Sequence, residues 1–165
     1  MHRVLHVGVV GSGSAERDQL ALAEDVGRLL ATRGAIVLCG GLGGVMEAAC
    51  RGAKSGGGMT VGLLPGSDRR DANAWVDVAI ATGLGEARNA LVVRAADVLI
   101  AIGGEFGTLS EIALALKMGK PVVGLGTWSL DLEGLAGDPL QRAATPADAV
   151  ARALEAAERL AGSAW

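Results

Sequence analysis

An α/β fold built on a doubly wound, mostly parallel sheet is predicted by three features of this sequence. Aliphatic runs of strand length alternate with helical patterns along the chain, the arrangement that forces crossover connections and parallel strands. The runs are continuously apolar rather than alternating, as in sheets buried on both faces. Glycine is in excess, 26 of 165 residues against a usual share of roughly 7%, and half of these glycines fall just after the aliphatic runs.

The strand candidates are Val4–Val10, Ala35–Cys39, Thr60–Leu64, Val76–Ala81, Val98–Ile102 and Val122–Leu125. Helical patterns lie between them. In Glu16–Arg33 the apolar positions Leu22, Val26, Leu29 and Leu30 share a face, and Arg33-Gly34 forms a stop. Val45–Ser55, Glu86–Ala96 and Thr108–Met118 follow. The stretch before Val76 reads as a loop, so that crossover lacks a predicted helix. Gly126–Ala144 is weakly patterned. Thr145-Pro146 then supplies a cap residue with proline at the first helical position, and Val150, Leu154, Ala157 and Ala161 form an apolar face. The order describes one Rossmann-like domain over residues 1–165, with helices on both faces of the sheet.

Composition excludes several functions. The 15 basic and 18 acidic residues are mixed, for a net charge of −3. No basic stripe exists to track nucleic-acid phosphates, and one Phe, three Trp and no Tyr leave little to stack on bases. No run reaches the roughly 18 apolar residues of a membrane span. The apolar start is broken by His6 and Gly8 and reads as a strand rather than a signal peptide. Two cysteines, Cys39 and Cys50, make no disulfide framework, and two histidines make no metal cluster. The expectation is a reduced cytoplasmic protein with no metal site and no cofactor needed for folding.

The glycines sort by sheet edge. Gly34, Gly56, Gly57, Gly58 and Gly119 read as helix caps and turns. The strand-following ones occupy four main turns: Gly11-Ser12-Gly13; Gly40, Gly41, Gly43 and Gly44; Gly83 and Gly85; Gly103, Gly104 and Gly107. Ligands of open α/β sheets bind beyond the carboxyl ends of the strands. There, backbone N–H groups and helix N-termini favour anions. Tight βα turns alone account for one such cluster; four on one edge point to a site for a phosphate-bearing ligand. The nucleotide motifs with known mechanics are not met. Gly52-Ala53-Lys54-Ser55 and Gly119-Lys120-Pro121 fail the P-loop spacing, and Gly11-Ser12-Gly13 is followed by Glu16 where a dinucleotide fingerprint needs its third glycine.

Two turns carry reactive side chains. Arg88 stands in the first helical turn after one strand and Glu111 in the first turn after the next, on the same sheet edge. A guanidinium clamps phosphate, and a carboxylate beside a sugar stabilises cationic character or orients water. Spacing alone leaves equally open that the two form a structural ion pair or serve as helix-end charges.

The segment Gly103-Gly104-Glu105-Phe106-Gly107-Thr108-Leu109-Ser110-Glu111 resembles the P-G-G-x-G-T-x-x-E signature of the Lonely-Guy (LOG) family, often mislabelled lysine decarboxylases. The Gly11–Ser14 turn, the 40–49 stretch and Arg88-Asn89-Ala90 fall in register with it. The chain is most similar to the short bacterial branch that includes molybdenum-cofactor carrier proteins. That resemblance implies a carrier that binds a phosphorylated heterocycle, molybdenum cofactor or a related nucleotide, as cargo. The alternative it implies is hydrolysis of nucleoside 5′-monophosphates, with Arg88 and Glu111 catalytic. In either case Gly11, Ser12, Gly13, Gly40, Gly41, Gly43, Gly44, Arg88, Asn89, Gly103, Gly104, Gly107 and Thr108 are the expected ligand-binding residues. Departures from the signature are Asn89 for a lysine, Gly103 for proline and Glu105 for glycine. A pyridoxal-dependent decarboxylase is not expected, since Lys54, Lys117 and Lys120 all fall away from the glycine edge. Met46 and Met118 read as core, Trp75 and Trp128 as covers for a ligand or subunit contact, and Pro65–Asn73 as a lid or a solvated turn. The apolar circumference of Thr108–Met118 predicts a homo-oligomer, dimer or tetramer.

Overall fold

A computed structural model describes residues 3–131, 133–134 and 136–162. Its strands are β1 (His6–Gly11), β2 (Ile36–Cys39), β3 (Thr60–Leu64), β4 (Val78–Ala81), β5 (Val98–Ile102), β6 (Val122–Leu125) and β7 (Gln141–Ala143). They form one sheet in the order β4-β3-β2-β1-β5-β6-β7, with every neighbouring pair parallel. The α/β Rossmann-like fold expected from the sequence is therefore present. The chain winds outward from β1 to β4, then crosses back to place β5 beside β1. Those two strands flank the topological switch point, where ligands of such sheets bind.

The helices are α1 (Arg17–Thr32), α2 (Val45–Ser55), α3 (Arg88–Ala95), α4 (Phe106–Lys117) and α5 (Pro146–Gly162). Strand side chains alternate between two apolar layers. Val7, Val9, Val37, Ile100 and Ile102 meet α1, α2 and α5 on one face. Val10, Leu38, Leu63, Leu99 and Ala101 meet α3 and α4 on the other. The capping predicted for α5 is made: Thr145 Oγ1 accepts from the Asp148 amide at 3.2 Å.

Three differences from the sequence reading have physical causes. The weakly patterned stretch before α5 contains β7, whose Gln-Arg-Ala sequence has no strand signature. It is held instead by pairing with β6 and by Arg142, whose Nη2 donates to the Trp128 carbonyl at 2.5 Å. Leu132 and Leu135 of that stretch lie outside the described residues. The Glu86–Ala96 segment is divided, with a 3-10 turn at Gly85–Ala87 leading into α3 at Arg88. Helix α4 begins at Phe106, so Glu111 stands in its second turn rather than its first.

Helices α1 and α2 approach backbone to backbone. A Cβ on Gly27 would stand 2.0 Å from the Ala49 carbonyl oxygen, and one on Gly52 would stand 1.9 Å from that of Glu24. Urea unfolding of Gly27→Ala is expected to show a loss of about 1–3 kcal/mol from this overpacking. Gly162→Ala, with nothing within 4 Å of the added carbon, should stay within about 0.5 kcal/mol.

Candidate functional site

The carboxyl ends of β1 and β5 open into a crevice of about 370 Å³, within the range usual for small-ligand pockets. Five polar or charged side chains are buried among the described residues: Ser12, Thr60, Arg88, Thr108 and Glu111. Four of them, all but Thr60, line this one crevice. Three larger hollows, about 590, 510 and 380 Å³, lie towards the opposite sheet edge and gather none of the five.

Arg88 enters the crevice from the first residue of α3 and is 7% exposed. Its Nη1 donates to the carbonyls of Gly40 at 2.5 Å and Leu63 at 2.6 Å, so the guanidinium ties α3 to the carboxyl ends of β2 and β3. A Cβ on residue 40 would stand 2.2 Å from Nη1, which is why glycine is needed there. Arg88 Nε is buried without a hydrogen-bond partner. Burial pulls the guanidinium's pKa down, opposed by the charge of Glu111.

Glu111 reaches the crevice from α4, 8% exposed. No ion pair joins it to Arg88, and it has no hydrogen-bond partner among the described residues. The structural ion pair that spacing left open is thus not formed. Burial pushes the Glu111 carboxyl up to about 7, with the Arg88 charge acting against that rise. Near neutral pH the group exchanges its proton readily.

The first turn is locked to the N-terminus of α4. Ser12 Oγ accepts from the Ser14 amide at 2.9 Å and donates to Glu105 Oε1 at 2.9 Å. The Ser12 carbonyl accepts from the Val45 amide at 3.0 Å, which fixes the start of α2 against the same turn. Gly104 holds φ +114°, and a Cβ there would strike the Thr108 side chain at 2.5 Å. Trp128 covers the outer side of this helix start: its Nε1 donates to the Glu105 carbonyl at 3.2 Å, and its ring lies 5.8 Å from that of Phe106.

The structure brings Gly11, Ser12, Gly13, Arg88, Asn89, Gly107, Thr108 and Glu111 together along the crevice. Gly40, Gly41, Gly43, Gly44, Gly103 and Gly104 are not among the residues lining the crevice, and at all of these but Gly43 a Cβ would stand under 3.0 Å from a neighbouring atom. Leu42, Met46, Pro65, Gly85, Glu86 and Glu105 also line it. Met46 is therefore a wall of the crevice instead of core. Its position in the first turn of α2, after a glycine turn, was the available signal. Asn89 is held at the rim, Nδ2 donating to Ser110 Oγ at 3.4 Å. The Pro65–Asn73 loop is anchored by Asn73, whose amide donates to the Gly41 carbonyl at 2.9 Å and whose Nδ2 donates to that of Leu42, also at 2.9 Å. Cys39 and Cys50 are buried free thiols with sulfurs 3.5 Å apart. The neighbouring sulfur and burial push the Cys50 thiol up. None of the three lysines lines the crevice. Lys54 pairs with Asp77 at 2.8 Å, and Lys120 donates to carbonyls at the end of α3. No described helix is long and apolar enough to cross a membrane.

Residues 4–155 match the SLOG cluster4 family. The chain belongs to that family. Its similarity to solved structures extends over nearly its whole length. The molybdenum cofactor binding protein from Rippkaea orientalis is 39% identical with a TM-score of 0.85, covering 94% of this chain and 98% of that one. The molybdenum cofactor carrier protein from Chlamydomonas reinhardtii is 40% identical with a TM-score of 0.83, covering 95% and 99%. An uncharacterized protein of Archaeoglobus fulgidus is 46% identical over 124 residues, 74% of this chain and 81% of that protein. The LOG-like, carrier-branch resemblance seen in the motifs is thus the family relationship.

The raised pKa of Glu111 makes stability pH-dependent with a definite sign. The folded protein holds a proton there that the unfolded chain releases near the ordinary value of 4.5, so stability falls as pH rises from about 4.5 to about 7. Melting temperatures of the wild type should decline across that window relative to Glu111→Gln, which carries no titrating group.

Proposed function

We propose that this protein binds and carries a phosphorylated heterocycle, molybdenum cofactor or a related nucleotide, in the crevice at the carboxyl edge of the sheet. The observation that carries the proposal is the gathering there of four of the five buried polar side chains. A soluble-protein core does not bury arginine and glutamate together without pairing them unless something else engages them. The relatives that are a molybdenum cofactor binding protein and a carrier protein supply the ligand class.

In this reading the phosphate lies at the start of α4, where the amides of Gly107 and Thr108 are unused by the helix ladder. Arg88 supplies the positive charge of the pocket. Glu111, which burial raises to about 7, takes up a proton as phosphate binds and so admits an anion that an ionised carboxylate would repel. Gly11 and Gly13 keep the opposite wall low, and Asn89 lines the rim. The domain spans the whole chain, and copies associate as dimers or tetramers, for which sedimentation should give two or four times the 16.5 kDa chain mass.

Incubation with molybdenum cofactor, followed by gel filtration and transfer to a cofactor-free acceptor enzyme, tests the proposal. The wild type should retain and deliver the cofactor. Gly107→Asp should lose at least about tenfold in retention, because one like charge in a partly dry site costs about 1.4 kcal/mol or more. Residue 107 has only Asn89 Nδ2 near, at 4.0 Å, so the substitution leaves the fold intact. Equal retention by both proteins would refute the assigned site.

The second reading is hydrolysis of a nucleoside 5′-monophosphate to base and ribose 5-phosphate. It is favoured by the Glu111 carboxyl, which near pH 7 is poised for proton exchange. Base release from AMP should then be abolished in Glu111→Ala. Indistinguishable rates in the two proteins would exclude it.

A further inference from the structure

We infer that Glu105 is the specificity-determining residue of this crevice. It selects a ligand ring that presents two adjacent N–H donors, the 2-amino-4-oxopyrimidine edge common to pterins and guanine, over the adenine edge. The inference rests on the crevice being a binding site for a phosphorylated heterocycle. The independent sign that a ligand enters it is Arg88, nine-tenths buried and lining the crevice, whose protein hydrogen bonds all fall on Nη1 and leave Nη2 without a partner among the described residues.

Glu105 is the N-cap of α4, yet its side chain makes no capping bond to its own helix. It turns across the crevice to Ser12 instead. Because Ser12 Oγ accepts from the Ser14 amide, its proton is directed at Glu105 Oε1, and the carboxylate is held from that side. From the other side, Trp128 Nε1 holds the Glu105 carbonyl. Ser12 and Trp128 are therefore positioning residues for this carboxylate. Among the described residues no cation lies within ion-pair distance of it, and its second oxygen has no partner.

A carboxylate fixed in this way at the rim of an anion site works against phosphate at its own position. What it accepts is N–H. Its two oxygens lie in one plane and take two parallel N–H donors at once, the geometry a guanidinium offers a carboxylate. The ring N–H and neighbouring amino group of a pterin or guanine repeat that spacing. Adenine offers one amino donor beside a ring nitrogen lone pair, so the second contact becomes acceptor against acceptor. The crevice thus has a division of labour. Arg88 and the α4 amides face the phosphate, and Glu105 faces the ring.

The test uses titration calorimetry of the full chain with GMP, AMP and inorganic phosphate. Wild type should bind GMP at least about tenfold more tightly than AMP, a modest value for a hydrogen-bonding site that is not fully buried. Glu105→Gln keeps the acceptor for Ser12 but replaces one oxygen with a donor. It should bring the GMP-to-AMP ratio close to one and tighten phosphate binding, since a negative charge leaves the crevice. A loss of fold would weaken both nucleotides together and leave the ratio standing, so the ratio reports selection alone. Equal affinity for GMP and AMP in the wild type, or a preference that survives in Glu105→Gln, would overturn the inference and leave the phosphate site intact. Failure of phosphate and both nucleotides to bind would overturn the site and this inference together.

Discussion

The guanidinium of Arg88 is the tie on which the carboxyl edge of the sheet depends. It begins at the N-terminus of α3, on the chain's return from the β4 side, and ends on the carbonyls of Gly40 and Leu63 at the ends of β2 and β3. A buried charge is tolerated only when its hydrogen bonds are made. Two carbonyls near the strand ends meet that requirement for Nη1, while Nε stays unpartnered. The position of α3, the glycine at 40, the wall formed by Met46 and the field felt by Glu111 all follow from this placement. Because one nitrogen serves both carbonyls, Nη2 keeps its hydrogen-bonding capacity free of the protein. In the proposed reading, structural and binding duties thus fall on different atoms of one side chain.

The glycine excess divides along a similar line. A minority of the glycines line the crevice, Gly11, Gly13, Gly85 and Gly107 among them. Several of the others that follow strands let a neighbouring group approach where a Cβ would intrude. Gly40 makes room for Arg88, and Gly104 for the Thr108 side chain. Away from the site, Gly27 and Gly52 bring α1 and α2 into backbone contact. The crevice is therefore shaped as much by glycines behind its wall as by those in it.

Much of this was legible from residue order. Continuous aliphatic runs located six of the seven strands, and the Thr145-Pro146 pair located the start of α5, because each signal is local. The sheet edge bearing the site was readable for the same reason: strand-following glycines and the Arg88 and Glu111 turns fall in one register. What stayed hidden depends on distant partners. β7 exists because β6 offers an edge and Trp128 a carbonyl, neither visible in Gln141-Arg142-Ala143. That Arg88 would seek carbonyls rather than Glu111 was equally invisible, since the choice depends on how closely β2 and β3 approach α3. The carboxylate of Glu105 stood out as a departure from the signature, but its partner Ser12 lies 93 residues away.

Burial of Glu111 bears directly on whether the site holds its ligand or cleaves it. Stabilising an oxocarbenium-like transition state requires an ionised carboxylate close to the sugar. Burial works against ionisation here, and the second negative charge of a bound phosphate would push the Glu111 carboxyl higher still. Hydrolysis also requires interactions that strengthen only as the bond breaks. A carrier has the opposite requirement: it must hold the ground state without acting on it and then release it. A neutral carboxyl beside an anchored guanidinium serves that purpose, since it adds no repulsion and little transition-state charge. On this physical ground holding is favoured over cleavage, and the deciding quantity is the protonation of one carboxyl when phosphate is bound.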